Sequence, residues 1–165
     1  MAQYHEQLEL ISFIRENEEK FYRIAYSYVK EPETALDLVQ DAVVSALQKY
    51  HTLRNHDCMK NWFYRILVNQ CLGYLRREKR RQLFFKKSQQ QVCAEQQDTE
   101  RMEACTDLYA ALDQLPPDMK TVIILRFFED MKLEEISEVL KVSPNTVKSR
   151  LYRALRHLKL NLEVN

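Results

Sequence analysis

A single glycine, Gly73, stands in 165 residues, with four prolines beside it. Tight hairpins rely on residues that adopt φ > 0 cheaply, and sheet-rich chains use glycine and proline to separate short strands. A chain this poor in both has little with which to turn one strand onto the next. Its apolar residues recur at steps of three and four rather than alternating, which is helix spacing. The expected fold class is therefore all-α, as one domain or two small ones.

The stretch from Leu133 to Ala154, LEEISEVLKVSPNTVKSRLYRA, reads as a helix-turn-helix. Leu133, Ile136, Val139 and Leu140 form a first apolar stripe, with acids on the opposite side. Ser143 and Pro144 mark a new helix start: a hydroxyl that caps free N–H groups, then a residue whose fixed φ suits the first turn. Beyond them Val147, Leu151, Leu155 and Leu158 are expected to share a buried face. Asn145, Thr146, Lys148, Ser149, Arg150 and Arg153 then fall on or beside the outer face. Short polar and cationic side chains just after a helix start suit contact with a DNA major groove. From Lys141 to Lys159 there are six Lys or Arg and no acid, although the whole chain has a net charge of +1. A solvated basic helix end fits the same residues, since cations also offset the helix dipole. One local rule is broken: Lys141 stands where a helix of this kind most often ends in glycine.

The first 82 residues form a second helical block. An opening helix from about Leu8 to Val29 carries Phe13, Phe21, Ile24, Ala25 and Tyr28, and Glu31-Pro32 interrupts it. A second helix runs from near Glu33 to about Tyr50, with Leu36, Val39, Val43, Leu47 and Tyr50 as its expected buried stripe. Its other face offers Asp37, Gln40, Asp41 and Val44, either an ordinary wet surface or a docking face for a partner rich in arginine. A third helix is expected from about Asn61 to Arg81. Between Lys60 and Lys87 lie nine Lys or Arg and one acid, Glu78. Trp62, Arg65 and Asn69 line one side of this helix, with Arg76 further along. Rings that stack and cations that follow phosphates suit unpaired bases. The competing reading makes Trp62 a core aromatic and the basic run a solvated end.

Residues 83–104 are polar, rich in Gln and without sustained periodicity, as a flexible linker would be. Seven acids and one arginine occupy Val92 to Asp118, so an acidic stretch separates two basic ones. The last block, 105–165, begins with a short helix that stops at Pro116-Pro117. A second helix, about Asp118 to Phe128, leads into the helix-turn-helix. The four cysteines, Cys58, Cys71, Cys93 and Cys105, form no CxxC pair and are expected to be reduced thiols, some buried. His51, His56 and Cys58 make no recognised ligand pattern, so no metal is expected. No phosphate loop, nucleophile elbow or zinc-protease motif appears, leaving no candidate for catalysis and no cofactor. Neither a signal peptide nor a membrane span is expected, which would keep the protein cytoplasmic.

Two separated basic readers on one short chain resemble a bacterial sigma factor of the extracytoplasmic-function (ECF) type. FYRIAYSYVKEPETALDLVQDAVVSAL followed by WFYRILVNQCLGYLRREKRR resembles sigma domain two. LPPDMKTVIILRFFEDMKLEEISEVLKVSPNTVKSRLYRALRHLK resembles sigma domain four. DLVQD and TVKSRLYRA, in this order and about 105 residues apart, carry the likeness most strongly. Lys141 for glycine and Ser137 for alanine are the departures. The resemblance implies two small helical domains, 1–82 and 105–165, joined by the linker 83–104. It implies that Asp37, Gln40, Asp41 and Val44 meet the clamp helices of the RNA polymerase beta-prime subunit. It places the melted minus-ten promoter element on residues 51–62 and on Trp62, Arg65, Asn69 and Arg76. It places the duplex minus-thirty-five element on Asn145, Thr146, Lys148, Ser149, Arg150 and Arg153. The linker would run toward the RNA exit path. Further implied partners are the polymerase beta flap and an anti-sigma factor, often membrane-bound. A conventional repressor, needing a dimer interface or ligand pocket, and a helical adaptor that binds no DNA are the competing classes.

Overall fold

The structure, a computed structural model, describes the backbone of residues 2–88 and 106–164. Most of the expected linker, with Cys93 and the acids from Glu95 to Glu103, lies outside the described residues. All described regular elements are helical. They fall into two compact units, one built mainly on α1, α2 and α3 as far as Arg77, the other mainly on α4 to α7.

In the first unit, α1 (Ala2–Val29) ends where Lys30 turns into the left-handed region at φ 57°. Glu31 then caps α2 (Pro32–Lys49): its carboxylate accepts the Thr34 N–H at 3.0 Å, and Pro32 takes the first helical position. This is the interruption expected at Glu31-Pro32. The buried stripe of α2 differs from expectation. It comprises Ala35, Leu38, Val39, Ala42 and Ala46, with Tyr50 just beyond, whereas Leu36 and Leu47 are 47% and 39% exposed. The alanines decide the register, because short side chains let α2 sit close against α1. Val39 and Tyr50 are buried as the spacing suggests, Val43 is half-buried, and Leu36 and Leu47 are the two that the fold turns outward.

Two short 3-10 turns, Tyr50–Thr52 and His56–Cys58, lead into α3 (Met59–Ser88). The core joins α1 to α3 through rings: Phe21 lies 4.5 Å from Phe63 and 5.5 Å, edge-on, from Tyr64, and Phe13 touches both Phe21 and Phe63 at 5.7 and 5.9 Å. Such pairs add about 1 kcal/mol each beyond the area they bury. Phe63, Tyr64, Leu67, Val68 and Cys71 are buried, whereas Ile66 and Tyr74 are half-buried. The helix does not stop near Arg81 but continues to Ser88. Its last turns are mostly Arg, Lys, Gln and Leu, which keep a helix going without a buried face.

In the second unit, α4 (Thr106–Asp113) and α5 (Pro117–Ile123) flank the proline pair. A wide π turn, Ile124–Phe128, follows α5, closed by the Glu129 N–H on the Ile124 carbonyl at 3.2 Å. Then come α6 (Leu133–Leu140) and α7 (Pro144–Val164). Ala111, Leu112, Leu115, Ile123, Ala154 and Leu158 form a core, with Met119 and Leu151 packed against it. In α7 the buried side is therefore Val147, Leu151, Ala154 and Leu158; Leu155, expected inside, is 38% exposed. Lys120 is buried and reaches Asp113 of α4 at 2.9 Å, tying α5 to α4. Among the described residues no helix is long and apolar enough to cross a membrane.

Candidate nucleic-acid interfaces

The helix-turn-helix is held by local hydrogen bonds that its sequence makes legible. Lys141, at φ 53° and ψ 44°, occupies the left-handed position that ends α6, where the spacing places a glycine. The N–H groups of Lys141 and Val142 both point to the Ser137 carbonyl, the second at 3.3 Å. The Ser137 hydroxyl in turn donates to the Val142 carbonyl at 2.7 Å. The two departures, Lys141 and Ser137, thus meet in one turn, and the serine braces the backbone that the missing glycine would have eased. Ser143 performs the capping its position suggests: its hydroxyl accepts the Thr146 N–H at 3.2 Å.

Beyond the cap, α7 exposes Asn145, Lys148, Ser149 and Arg153, while Thr146 and Arg150 are half-buried. Thr146 is partly engaged by Ser143, hydroxyl to hydroxyl at 2.9 Å. Arg150 has a structural partner that the sequence did not suggest, the Asp118 carboxylate of α5 at 3.5 Å. Lys148 lies over the ring of exposed Tyr152, 6.0 Å from its centroid. The surface is cationic, and Val147 beneath it is buried.

On α3, Asn69 and Arg76 are exposed, and Trp62 and Arg65 are half-buried. Trp62 is neither fully buried nor fully exposed. One edge packs against the buried Tyr50 ring at 6.3 Å and 77°, and the rest remains accessible. The segment before α3 is braced from the same ring: the Tyr50 hydroxyl hydrogen-bonds His56 Nδ1 at 3.0 Å. Asn55 closes the second 3-10 turn by accepting the Asp57 N–H through its side chain at 3.0 Å. Arg77, Lys79, Arg80, Arg81, Lys86 and Lys87 are all exposed, and Glu78 pairs with Arg81 at 2.7 Å. A long cationic ridge therefore leaves the aromatic end of the helix.

On α2, Asp37, Gln40 and Asp41 are exposed, and Val44 is 52% exposed. Leu36 and Leu47, exposed rather than buried, enlarge the apolar part of this surface. Their signal was present in the alanine spacing of 35, 42 and 46. In the second unit the π turn leaves Phe127 and Phe128 exposed at 58% and 50%. Isolated surface apolar residues are ordinary, but adjacent ones mark contact surfaces.

Sigma-70 region 2 matches residues 13–81, and Sigma-70, region 4 matches residues 105–158. The RNA polymerase sigma factor SigV of Bacillus subtilis is 43% identical over 153 residues, covering 93% of this chain and 90% of that protein. The chain is a bacterial sigma factor of the ECF type. A more distant relative is the ECF sigma factor SigX of Bacillus subtilis, 28% identical across 87% of this chain and 78% of its own length. The fold of this sigma factor is also that of RpoE solved in complex with the anti-sigma factor NepR from Bartonella quintana, with a TM-score of 0.76. That pair is 23% identical and covers 95% of this chain and 98% of the other. CnrH, solved with the cytosolic domain of CnrY, follows at a TM-score of 0.68 and 21% identity, over 96% and 90% of the two chains. As a sigma factor the protein is a transcription initiation factor, binding RNA polymerase and directing it to promoters.

Proposed function

We propose that this sigma factor divides its work between the two exposed cationic faces. The domain 105–165 docks on duplex minus-thirty-five DNA through Asn145, Thr146, Lys148, Ser149, Arg150 and Arg153. The domain 1–82 holds the melted minus-ten strand along residues 51–62 and on Trp62, Arg65, Asn69 and Arg76. The observation that carries this reading is the difference between the faces. On α7 short polar and cationic groups follow a capped helix start, as groove reading requires. On α3 a half-exposed indole heads a basic ridge, as stacking on unpaired bases requires. A strand that α3 holds more tightly when unpaired shifts the melting equilibrium by that difference in affinity. The polymerase supplies all bond-making chemistry, so this chain acts without catalysis of its own, in the cytoplasm.

Polymerase docking belongs to α2, where Asp37, Gln40 and Asp41 surround Val44 and face the clamp helices of the beta-prime subunit. Phe127 and Phe128 offer the second unit an apolar contact for the beta flap. Surfaces of this kind, apolar and ringed by charge, suit capture by an anti-sigma partner when polymerase is absent. The test is run-off transcription with sigma-free core polymerase on a promoter library. New transcripts sharing two upstream elements are the expected result. Duplex binding without transcripts would instead favour a conventional regulator.

A further inference from the structure

The only glycine in the chain sits inside α3, where glycine weakens a helix relative to alanine. The fold does not require it. Gly73 is not in the left-handed region. A β-carbon placed there would meet the tips of two flexible side chains, Arg77 Nη1 at 3.5 Å and Arg76 Nη2 at 3.9 Å, both ordinary contact distances. The helix spacing then gives the position a meaning. Trp62, Arg65, Asn69, Gly73 and Arg76 follow one another at steps of three and four, so the glycine lies within the stripe assigned to the melted strand. Two guanidinium groups lean over bare helix backbone at that point. Guanidinium forks match phosphate oxygens, and a missing side chain lets another backbone approach closely.

We propose that Gly73 is a contact notch for the sugar-phosphate backbone of the melted promoter strand, seating one phosphate between Arg76 and Arg77. This rests on the placement of that strand along α3 and adds a contact to it. The arrangement separates folding from binding by sign: alanine suits the helix and obstructs the strand. The test compares wild type and Gly73→Ala as holoenzymes with core polymerase, binding a single-stranded oligonucleotide from the minus-ten region selected in run-off transcription. The variant should melt ~4 °C higher as the free chain. It should bind core polymerase within about twofold of wild type, yet bind the single strand about tenfold more weakly. When phosphates are replaced one at a time by neutral methylphosphonate, wild type should lose affinity at one position to which the variant is indifferent.

Unchanged single-strand affinity in the variant overturns the notch, and so does a lowered melting temperature, which would mean that the fold itself requires glycine. Methylphosphonate profiles that coincide overturn it as well. A wild-type holoenzyme with no preference for the single strand over duplex removes the strand from α3 altogether. That outcome is distinguishable because it appears before any variant is made.

Discussion

Replacing Lys141 by glycine should stabilise the second unit, and the size of the gain follows from the turn. Lys141 sits at φ 53° and ψ 44°, where a β-carbon crowds the backbone carbonyl. Holding a non-glycine residue there costs about 1–2 kcal/mol. Glycine removes that strain but gives the unfolded chain more freedom, which returns about 0.5–1 kcal/mol. The net gain is about 0.5–1 kcal/mol, or ~2–8 °C for a domain of this size. The exposed lysine side chain leaves no cavity. Lys141→Ala keeps the β-carbon and should change stability by less than about 0.5 kcal/mol, so it isolates the backbone effect from the loss of charge. Urea unfolding of the full chain, followed by far-ultraviolet circular dichroism, is the assay, with the first unit as an internal reference. Ser137→Ala adds a check: losing the 2.7 Å bond to the Val142 carbonyl should cost about 1 kcal/mol. A Lys141→Gly variant no more stable than Lys141→Ala would refute the claim that this turn is strained.

On α7, Lys148→Ala should weaken binding to all duplex sequences about equally and lower the salt slope by about one, as loss of a phosphate contact does. Arg150→Ala should also weaken duplex binding, with a stability loss below about 1 kcal/mol from its partly exposed pair with Asp118. Asp118→Asn, which breaks the same pair but keeps the arginine, should leave duplex affinity intact; equal losses in both variants would make Arg150 structural only. Asp41→Arg should reduce core polymerase affinity about tenfold in a competition assay without altering melting, since Asp41 is exposed; unchanged affinity would remove α2 from the interface. If about six phosphates are neutralised, duplex affinity should fall roughly a thousandfold between about 50 and 200 mM salt, and a flat response would favour a helical adaptor. Burial pushes the Cys71 thiol up from 9.0 to about 12. Because the unfolded thiol ionises first, stability is fully present below pH 9.0 and falls by about 1.4 kcal/mol per pH unit toward 12. Alkaline urea titrations in which Cys71→Ala shows the same slope would exclude this thiol as the cause.

Much of the second unit was legible because its signals are local. Ser143 and Pro144 announce a helix start through the chemistry of a hydroxyl and a fixed φ, and the cap forms as those groups dictate. Lys141 is where the pattern places the left-handed residue, and the backbone takes that conformation despite the side chain. Tertiary contacts were less accessible. Asp118 looks like an ordinary first-turn acid until α5 is set beside α7, and Tyr50 looks like the end of a stripe until it braces His56 and Trp62. Leu155 obeys helical spacing as well as Ala154 does; the crowding of neighbouring helices chooses the smaller residue.

The register of α2 concerns both fold and function. A stripe chosen by hydrophobicity selects Leu36, Val43 and Leu47, but close helix packing selects Ala35, Ala42 and Ala46. Both sets have helical spacing, so periodicity cannot choose between them. Contact distance can, since alanine allows two backbones to approach where leucine holds them apart. The consequence is that Leu36, Val44 and Leu47 face water beside Asp37 and Asp41. Each half-exposed side chain forgoes part of the roughly 1.5–3 kcal/mol that full burial supplies. A surface that keeps this apolar area beside acids is poorly suited to stand alone and well suited to being covered. The same arrangement recurs at Phe127 and Phe128, which a π turn holds outward in the second unit. Each unit therefore pairs a cationic face with an apolar one, the combination required of a protein that must bind nucleic acid and a large enzyme together.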